Sequence, residues 1–172
     1  MKNLIAAFSL VILITSCSKK ETQPTSNEAD STIIIDSINA ARTKINDSIK
    51  SLNSKNRFKD FTGSHKFTHN LIKTPGKVEF KKIEDERDHY NVSGNIKSGG
   101  NFVKIKGFMA IVTDKHMNFT GEISQSISEN DNGKTYTRKG TKTFLSKDGG
   151  KTWRLQDMIN GSGFVDYIDI HF

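Results

Sequence analysis

Cysteine occurs once in the 172 residues, at Cys17. A disulfide framework is therefore excluded, and a domain built from this chain must be held by its own core. Several reaction signatures are missing as well. There is no glycine-rich phosphate loop, no nucleophile elbow and no Ser/Lys pair. The run Glu84–His89 (EDERDH) holds carboxylates and a histidine that could bind Ca²⁺ or exchange protons. It lacks the glycine and the spaced ligands of a calcium loop and reads as a charged, solvated turn. His65 and His69 in GSHKFTHN have a spacing that would bring both rings to one face of a helix. Gly63, Phe61 and Phe67 favour a strand there, on which four residues span about 13 Å, so the two rings cannot share an ion. Neither a metal nor another cofactor is indicated.

The chain opens MKNLIAAFSLVILITSC: Lys2, then an apolar core from Leu4 to Ile14, short for a membrane span. Ile14-Thr15-Ser16-Cys17 resembles a bacterial lipobox. The resemblance implies a signal peptide over 1–16, cleavage before Cys17, a diacylglyceryl group on its sulfur and an acyl chain such as palmitate on the new N-terminus. With Cys17 so used, thiol catalysis and cysteine-ligated metal are excluded. More than one acyl chain gives durable membrane attachment.

Residues 17–31 are polar and free of aromatics, too poor in apolar surface to fold, and read as an acylated flexible tether. Their start, Cys-Ser-Lys-Lys-Glu, resembles lipoproteins of the Bacteroidota, some of which reach the outer surface. Asp30-Ser31-Thr32, Asp36-Ser37-Ile38 and Asp47-Ser48-Ile49 resemble the O-glycosylation acceptor of that group. The implied location is the outer membrane, facing periplasm or exterior.

Cleavage before Cys17 removes Lys2 and no acid, lowering the formal charge from +7 to +6. The basic residues are interleaved with strand formers, as in FVKIKG and YTRKGTKTF. Such lysines form a solvated strand face and discourage edge-to-edge aggregation. A sharper reading is contact with an anion: acidic polysaccharide, lipid headgroups or an acidic protein. An anchored, exported chain is not expected to meet nucleic acid.

Ile34, Ile38, Ala41, Ile45, Ile49 and Leu52 recur with a mean step of 3.6, which predicts an amphipathic helix over 32–53. From residue 57 to 172 the period changes to two. Tyr90, Val92, Gly94 and Ile96 share one side, as do Val103, Ile105, Gly107, Met109 and Ile111. Phe119, Gly121, Ile123 and Ile127 form another such set, and Phe164, Ile168, Ile170 and Phe172 a fourth. Turn formers at Pro75-Gly76, Glu84-Asp85-Glu86, Gly99-Gly100, Thr113-Asp114-Lys115, Asn132-Gly133, Asp148-Gly149-Gly150 and Gly161-Ser162-Gly163 separate eight strands. Short connections make neighbours antiparallel, and closure removes exposed edges. The expected fold is mainly β: an eight-stranded up-and-down barrel or strongly curved sheet, with the helix packed against it or plugging one mouth. Gly94, Gly107, Gly121 and Gly140 would allow tight coiling. Asp166 and Asp169 read as outward residues of an edge strand. The architecture resembles the calycin barrels, without the lipocalin Gly-x-Trp signature. Gly63 to Phe172, with TWRLQDM and DYIDIHF, also resembles a family of uncharacterised exported proteins.

Ser146 to Trp153 (SKDGGKTW) resembles the Asp-box of sialidases and related β-propellers. That likeness implies a turn in which the Asp148 carboxylate accepts backbone N–H groups, Gly150 takes a positive φ and Trp153 packs beneath. One copy cannot make a propeller, and the five arginines (Arg42, Arg57, Arg87, Arg138, Arg154) offer no sialidase cluster. The leading expectation is a non-catalytic, lipid-anchored envelope binding protein. Its ligand would be a small apolar molecule inside the barrel, lined by Tyr90, Met109, Phe119 and Trp153, or an anionic envelope component outside. The alternative is a protein interaction module, such as a hydrolase inhibitor or envelope assembly factor. A hydrolase would need acids or histidines converging in a cleft.

Overall fold

The computed structural model describes residues 28–172, so Cys17, the expected signal peptide and the first part of the expected tether lie outside the described residues. The chain divides into two units, one ending at Ala41 and one spanning Arg42–Phe172. Helix α1 (Glu28–Asn53) begins four residues before the expected start at 32, because the polar run preceding Ile33 contains no helix breaker. In the first unit Ile33, Ile34, Ile35 and Ile38 are exposed.

In the second unit eight antiparallel strands form a closed barrel in simple chain order: β1 (Gly63–His69), β2 (Ile72–Lys82), β3 (His89–Ser98), β4 (Asn101–Thr113), β5 (His116–Ser126), β6 (Tyr136–Ser146), β7 (Thr152–Leu155) and β8 (Ile168–His171). Closure comes from β8 pairing with β1, from Lys66↔His171 to His69↔Ile168. The period-two residues point inward: Phe67, Val78, Phe80, Tyr90, Ile96, Val103, Met109, Phe119, Ile123, Phe144, Trp153, Ile168 and Ile170 have no accessible surface. Lysines occupy the alternate, outward positions of β2 and β4. That polarity is the reverse of a membrane-spanning barrel, whose outer belt is apolar. Separately, no described helix is long and apolar enough to cross a membrane.

The structure corrects four expectations. Pro75-Gly76 is not a turn; both residues lie within β2, and the first turn is Asn70-Leu71. The β1–β2 register shifts between Phe67↔Gly76 and His69↔Ile72, and β2 pairs with β3 only from Lys77. Pro75 thus sits at a bulge, where its missing N–H interrupts no ladder. Second, the helix neither packs on the barrel nor plugs it within this unit. Ile45, Ile49 and Leu52 are 58%, 49% and 63% exposed. The mouth is closed by Phe58 and Phe61 instead, with the Phe61 ring edge-on to Tyr90, Trp153 and Phe172. Third, Phe164 does not join Ile168, Ile170 and Phe172, because β8 starts only at Ile168 and Phe164 is exposed on the preceding loop. Fourth, β8 is not an edge strand, having β1 on one side and β7 on the other; Asp169 is outward as expected but covered by its pairing with Arg154, and Asp166 precedes β8 and is buried.

Gly107, Gly121 and Gly140 stand in one cross-strand row over β4, β5 and β6. A Cβ on Gly107 would lie 2.3 Å from the Thr120 carbonyl oxygen, and one on Gly121 2.3 Å from that of Lys106. These two backbones approach more closely than any side chain permits, and the Phe119 ring covers the gap from inside. Gly107→Ala is expected to cost about 1–3 kcal/mol. Gly100→Ala, where the nearest atom is 4.0 Å away, should stay within about 0.5 kcal/mol of wild type. Urea unfolding of both variants checks the pair.

Candidate functional site

The Asp-box stretch is a self-contained hairpin connection between β6 and β7. The Ser146 hydroxyl donates to Asp148 Oδ1 at 2.9 Å and accepts the Gly150 N–H at 2.8 Å. Asp148 Oδ1 also accepts the N–H groups of Thr152 (2.9 Å) and Lys151 (3.1 Å). The Thr152 N–H bond foremost, with the other donors, holds the Asp148 carboxyl down at about 2. Gly149 and Gly150 have φ of 74° and 85°, conformations that glycine adopts without strain. Trp153 donates its indole N–H to the Gly150 carbonyl at 3.1 Å and is buried against Phe61. The Asp148 carboxylate, the Ser146 hydroxyl and the Trp153 indole N–H are thus engaged within the turn, while the Thr152 hydroxyl meets His171 Nδ1 on β8 at 3.3 Å.

Tyr90, Met109, Phe119 and Trp153 all belong to the continuous core, each with no accessible area. No water-sized sphere rests against them, so these side chains fill the barrel. Tyr90 reaches the mouth with its hydroxyl, which donates to Asp60 Oδ1 at 3.2 Å and accepts from Asn56 Nδ2 at 2.7 Å. Within Glu84–His89, Asp88 is not a solvated turn residue: it is 1% exposed. It accepts N–H bonds from Arg57 and Phe58, and the Arg57 side chain at 2.9 Å. Burial raises the Asp88 carboxyl, but the Arg57 and Phe58 donors outweigh it and hold the group below its ordinary value.

The four histidines of interest do not gather. His65 contacts the Phe61 carbonyl at 2.8 Å, His89 that of Arg87 at 2.8 Å, and His171 the Thr68 hydroxyl at 2.9 Å. Among the described residues no three His, Cys, Asp or Glu side chains are placed to hold a metal ion. His69 is buried at the opposite end of β1. Its Nδ1 accepts the Leu71 N–H at 3.1 Å, which leaves Nε2 as the protonated nitrogen, 3.5 Å from Asp166 Oδ1.

Asp166 is the centre of a buried polar cluster that period-two reading of the strands did not reveal. Gln125 Nε2 donates to it, as do Asn130 Nδ2 at 3.2 Å and Arg138 Nη2 at 3.3 Å; Arg138 Nη1 in turn donates to Gln125 Oε1 at 2.5 Å. Gln125 and Arg138 take inward positions on β5 and β6, beneath the loop 156–167. Burial pushes the Asp166 carboxyl up, but His69, Gln125 and Arg138 together hold it at about 2. Asp166 and His69 converge, yet both side chains have no exposed surface, so the pair locks the loop onto the barrel end rather than facing a cleft.

The outer face of β2–β4 has the opposite character. Paired residues form the row Lys66–Lys77–Asn95–Lys104–Ser124–Thr137, and beside it Ser64–Glu79–Ser93–Lys106–Glu122–Lys139. A third row holds Lys81, Asn91 and Phe108. Two shallow grooves of about 490 Å³ each lie on this face. One is lined by Lys77, Glu79, Ser93, Asn95, Lys104 and Lys106; the other adds Lys81, Asn91 and Phe108 and shares Ser93 and Lys106. Among the described residues, Lys66, Lys77, Lys81, Lys104 and Lys106 form no ion pair, whereas Lys139 is matched to Glu122 at 2.7 Å. Nor do the side chains of Asn91, Ser93 and Asn95 form a hydrogen bond there. Lysines alternating in FVKIKG signalled the β4 wall of this face, but the β2 wall needed the register to appear.

The buried cluster gives a pH-dependent expectation. A carboxyl lowered on folding stabilises the native state above its unfolded pKa, and that stabilisation is lost as pH falls through its folded value. Asp166→Asn should therefore destabilise by about 3 kcal/mol at pH 7, leaving buried Arg138 with only the partly exposed Asp157, 3.9 Å from its Nε, as a charge partner. The difference from wild type should shrink between about pH 4 and pH 2, as read from urea unfolding across that range.

Comparison with known proteins adds kinship. A Pasteurella multocida (strain Pm70) protein bearing the name "Uncharacterized protein PM1083" is 35% identical over 113 residues, covering 64% of this chain and 72% of the relative. No solved structure matches the chain. Residues 42–172, which include the whole barrel, match the PM1083 family, and the chain belongs to that family.

Proposed function

We propose that this protein is a non-catalytic, lipid-anchored binding protein of the bacterial envelope, which engages an anionic envelope component through the outer face of β2–β4. The observation carrying this reading is the set of four exposed lysines without carboxylate partners, Lys77, Lys81, Lys104 and Lys106, that line the two open grooves, with Lys66 beside them on β1. The filled interior directs binding outward, since Tyr90, Met109, Phe119 and Trp153 already occupy the space an apolar ligand would need. The lipobox-like Ile14-Thr15-Ser16-Cys17 supports the anchor, and the polar segment after it supplies reach from the membrane.

A second reading, protein interaction through the loop 156–167, draws on its exposed Ile159, Phe164 and Val165. A small hairpin holds these outward: Ile159 bridges Val165, and Asn160 Oδ1 accepts the N–H groups of Ser162 and Phe164, both at 3.0 Å.

Two measurements test the proposal. Cys17→Ser should move the protein from the membrane to the soluble fraction and abolish acyl incorporation. Retention of the variant in the membrane fraction would remove the anchor. Reversing Lys77 and Lys104 to Glu should weaken binding to an anionic matrix about tenfold at low salt, the size expected of a few exposed charge contacts. Retention that ignores the reversal would place the binding surface elsewhere.

A further inference from the structure

We infer that the component bound by the β2–β4 face is a linear anionic polysaccharide whose carboxylates are separated by uncharged sugar units. This rests on the reading of that face as an anion site and goes further, to the arrangement of charge along the ligand.

The face is a valley with two charged walls. Lys77 and Lys81 stand on β2, Lys104 and Lys106 on β4, and β3 runs between them with the short outward side chains Asn91, Ser93 and Asn95. Strands lie about 4.8 Å apart, so the walls are about 10 Å from each other at their bases. The two grooves join along β3 through their shared Ser93 and Lys106. From Asn91 to Asn95 the floor extends about 13 Å. A chain lying along β3 would meet cations at its flanks and neutral polar groups beneath.

Those neutral groups set the ligand class. Asparagine amides and a serine hydroxyl both donate and accept hydrogen bonds, which suits sugar hydroxyls. A bare phosphate or sulfate only accepts, and the asparagine carbonyl oxygens give it nothing to accept from. Glu79 lies level with Ser93 and Lys106, and forms no ion pair among the described residues. A polymer charged on every unit would place an anion against it, whereas one with spaced charges puts a hydroxyl there. At the end of the valley, beside Asn91, Phe108 is 41% exposed. Its ring offers an apolar surface to the C–H face of a sugar.

The test uses the full-length protein in detergent micelles, titrated with four probes. These are hyaluronate oligosaccharides, which carry one carboxylate per two sugars, densely sulfated heparin, uncharged dextran, and phosphatidylglycerol vesicles. Hyaluronate should bind and dextran should not. The double substitution Asn91→Ala with Asn95→Ala keeps every charge, and should weaken hyaluronate binding about tenfold through lost hydrogen bonds. It should leave heparin binding unchanged. Glu79→Gln should tighten heparin more than hyaluronate. Equal or stronger binding of heparin or vesicles, indifferent to the asparagine substitutions, would overturn the spaced-carboxylate ligand while leaving an anion site. Failure of the wild-type protein to bind any of the three anionic probes would overturn the anion site itself.

Discussion

Pairing of β8 with β1 is the contact on which the rest of the structure depends. It is short, four registered residue pairs, yet it converts a sheet with two open edges into a surface with none. Once closed, the inner face is shielded on every side. Its aromatic and aliphatic side chains can then form a dry core without a disulfide, in a chain whose single cysteine precedes the barrel strands in sequence. The two ends are sealed by different chemistry. Phe58 and Phe61 close one, while the Asp166 cluster, buried under loop 156–167, closes the other.

Much of the barrel was legible in the sequence because burial on one face imposes period two on every strand. Tyr90, Val92, Ile96, Val103, Ile105, Met109 and Ile111 point inward as their alternation requires. The turn chemistry at Gly99-Gly100 and Asp148-Gly149-Gly150 placed two connections, and the hairpin at Asp148 was readable because all its partners lie within seven residues. The failures share one physical cause: they depend on partners distant in the chain. Pro75-Gly76 has the composition of a turn, but the β1–β2 bulge that accommodates it is a property of pairing. Asp166 has the appearance of a surface residue until Gln125, Asn130 and Arg138 are brought around it from 28 to 41 positions away. The apolar stripe of α1 was readable as helical, but which surface would cover it is not encoded in its period, and within the barrel unit Ile45, Ile49 and Leu52 stay exposed.

The same division holds for the candidate site. Interior positions suggested a ligand cavity because inward aromatics line cavities and fill cores alike; packing decides between the two, and here it fills. The basic face is a product of register. Lys77 and Lys104 are 27 positions apart in the chain and meet across Asn95 only because β2, β3 and β4 pair as they do. Families of small barrels can therefore keep a common core and acquire different surfaces through outward residues that carry no burden of packing.

Asp88 has a mechanical consequence. It joins the segment that leads in from the helix to the start of β3 by accepting two backbone N–H groups and the Arg57 side chain at once. Beside it, Arg87 grips the Leu52 carbonyl at 2.7 Å. Tension arriving from the N-terminal side is thus delivered to the β2–β3 connection before it reaches Gly63. β1, whose pairing with β8 seals the barrel, would be spared such a pull and kept from being peeled away.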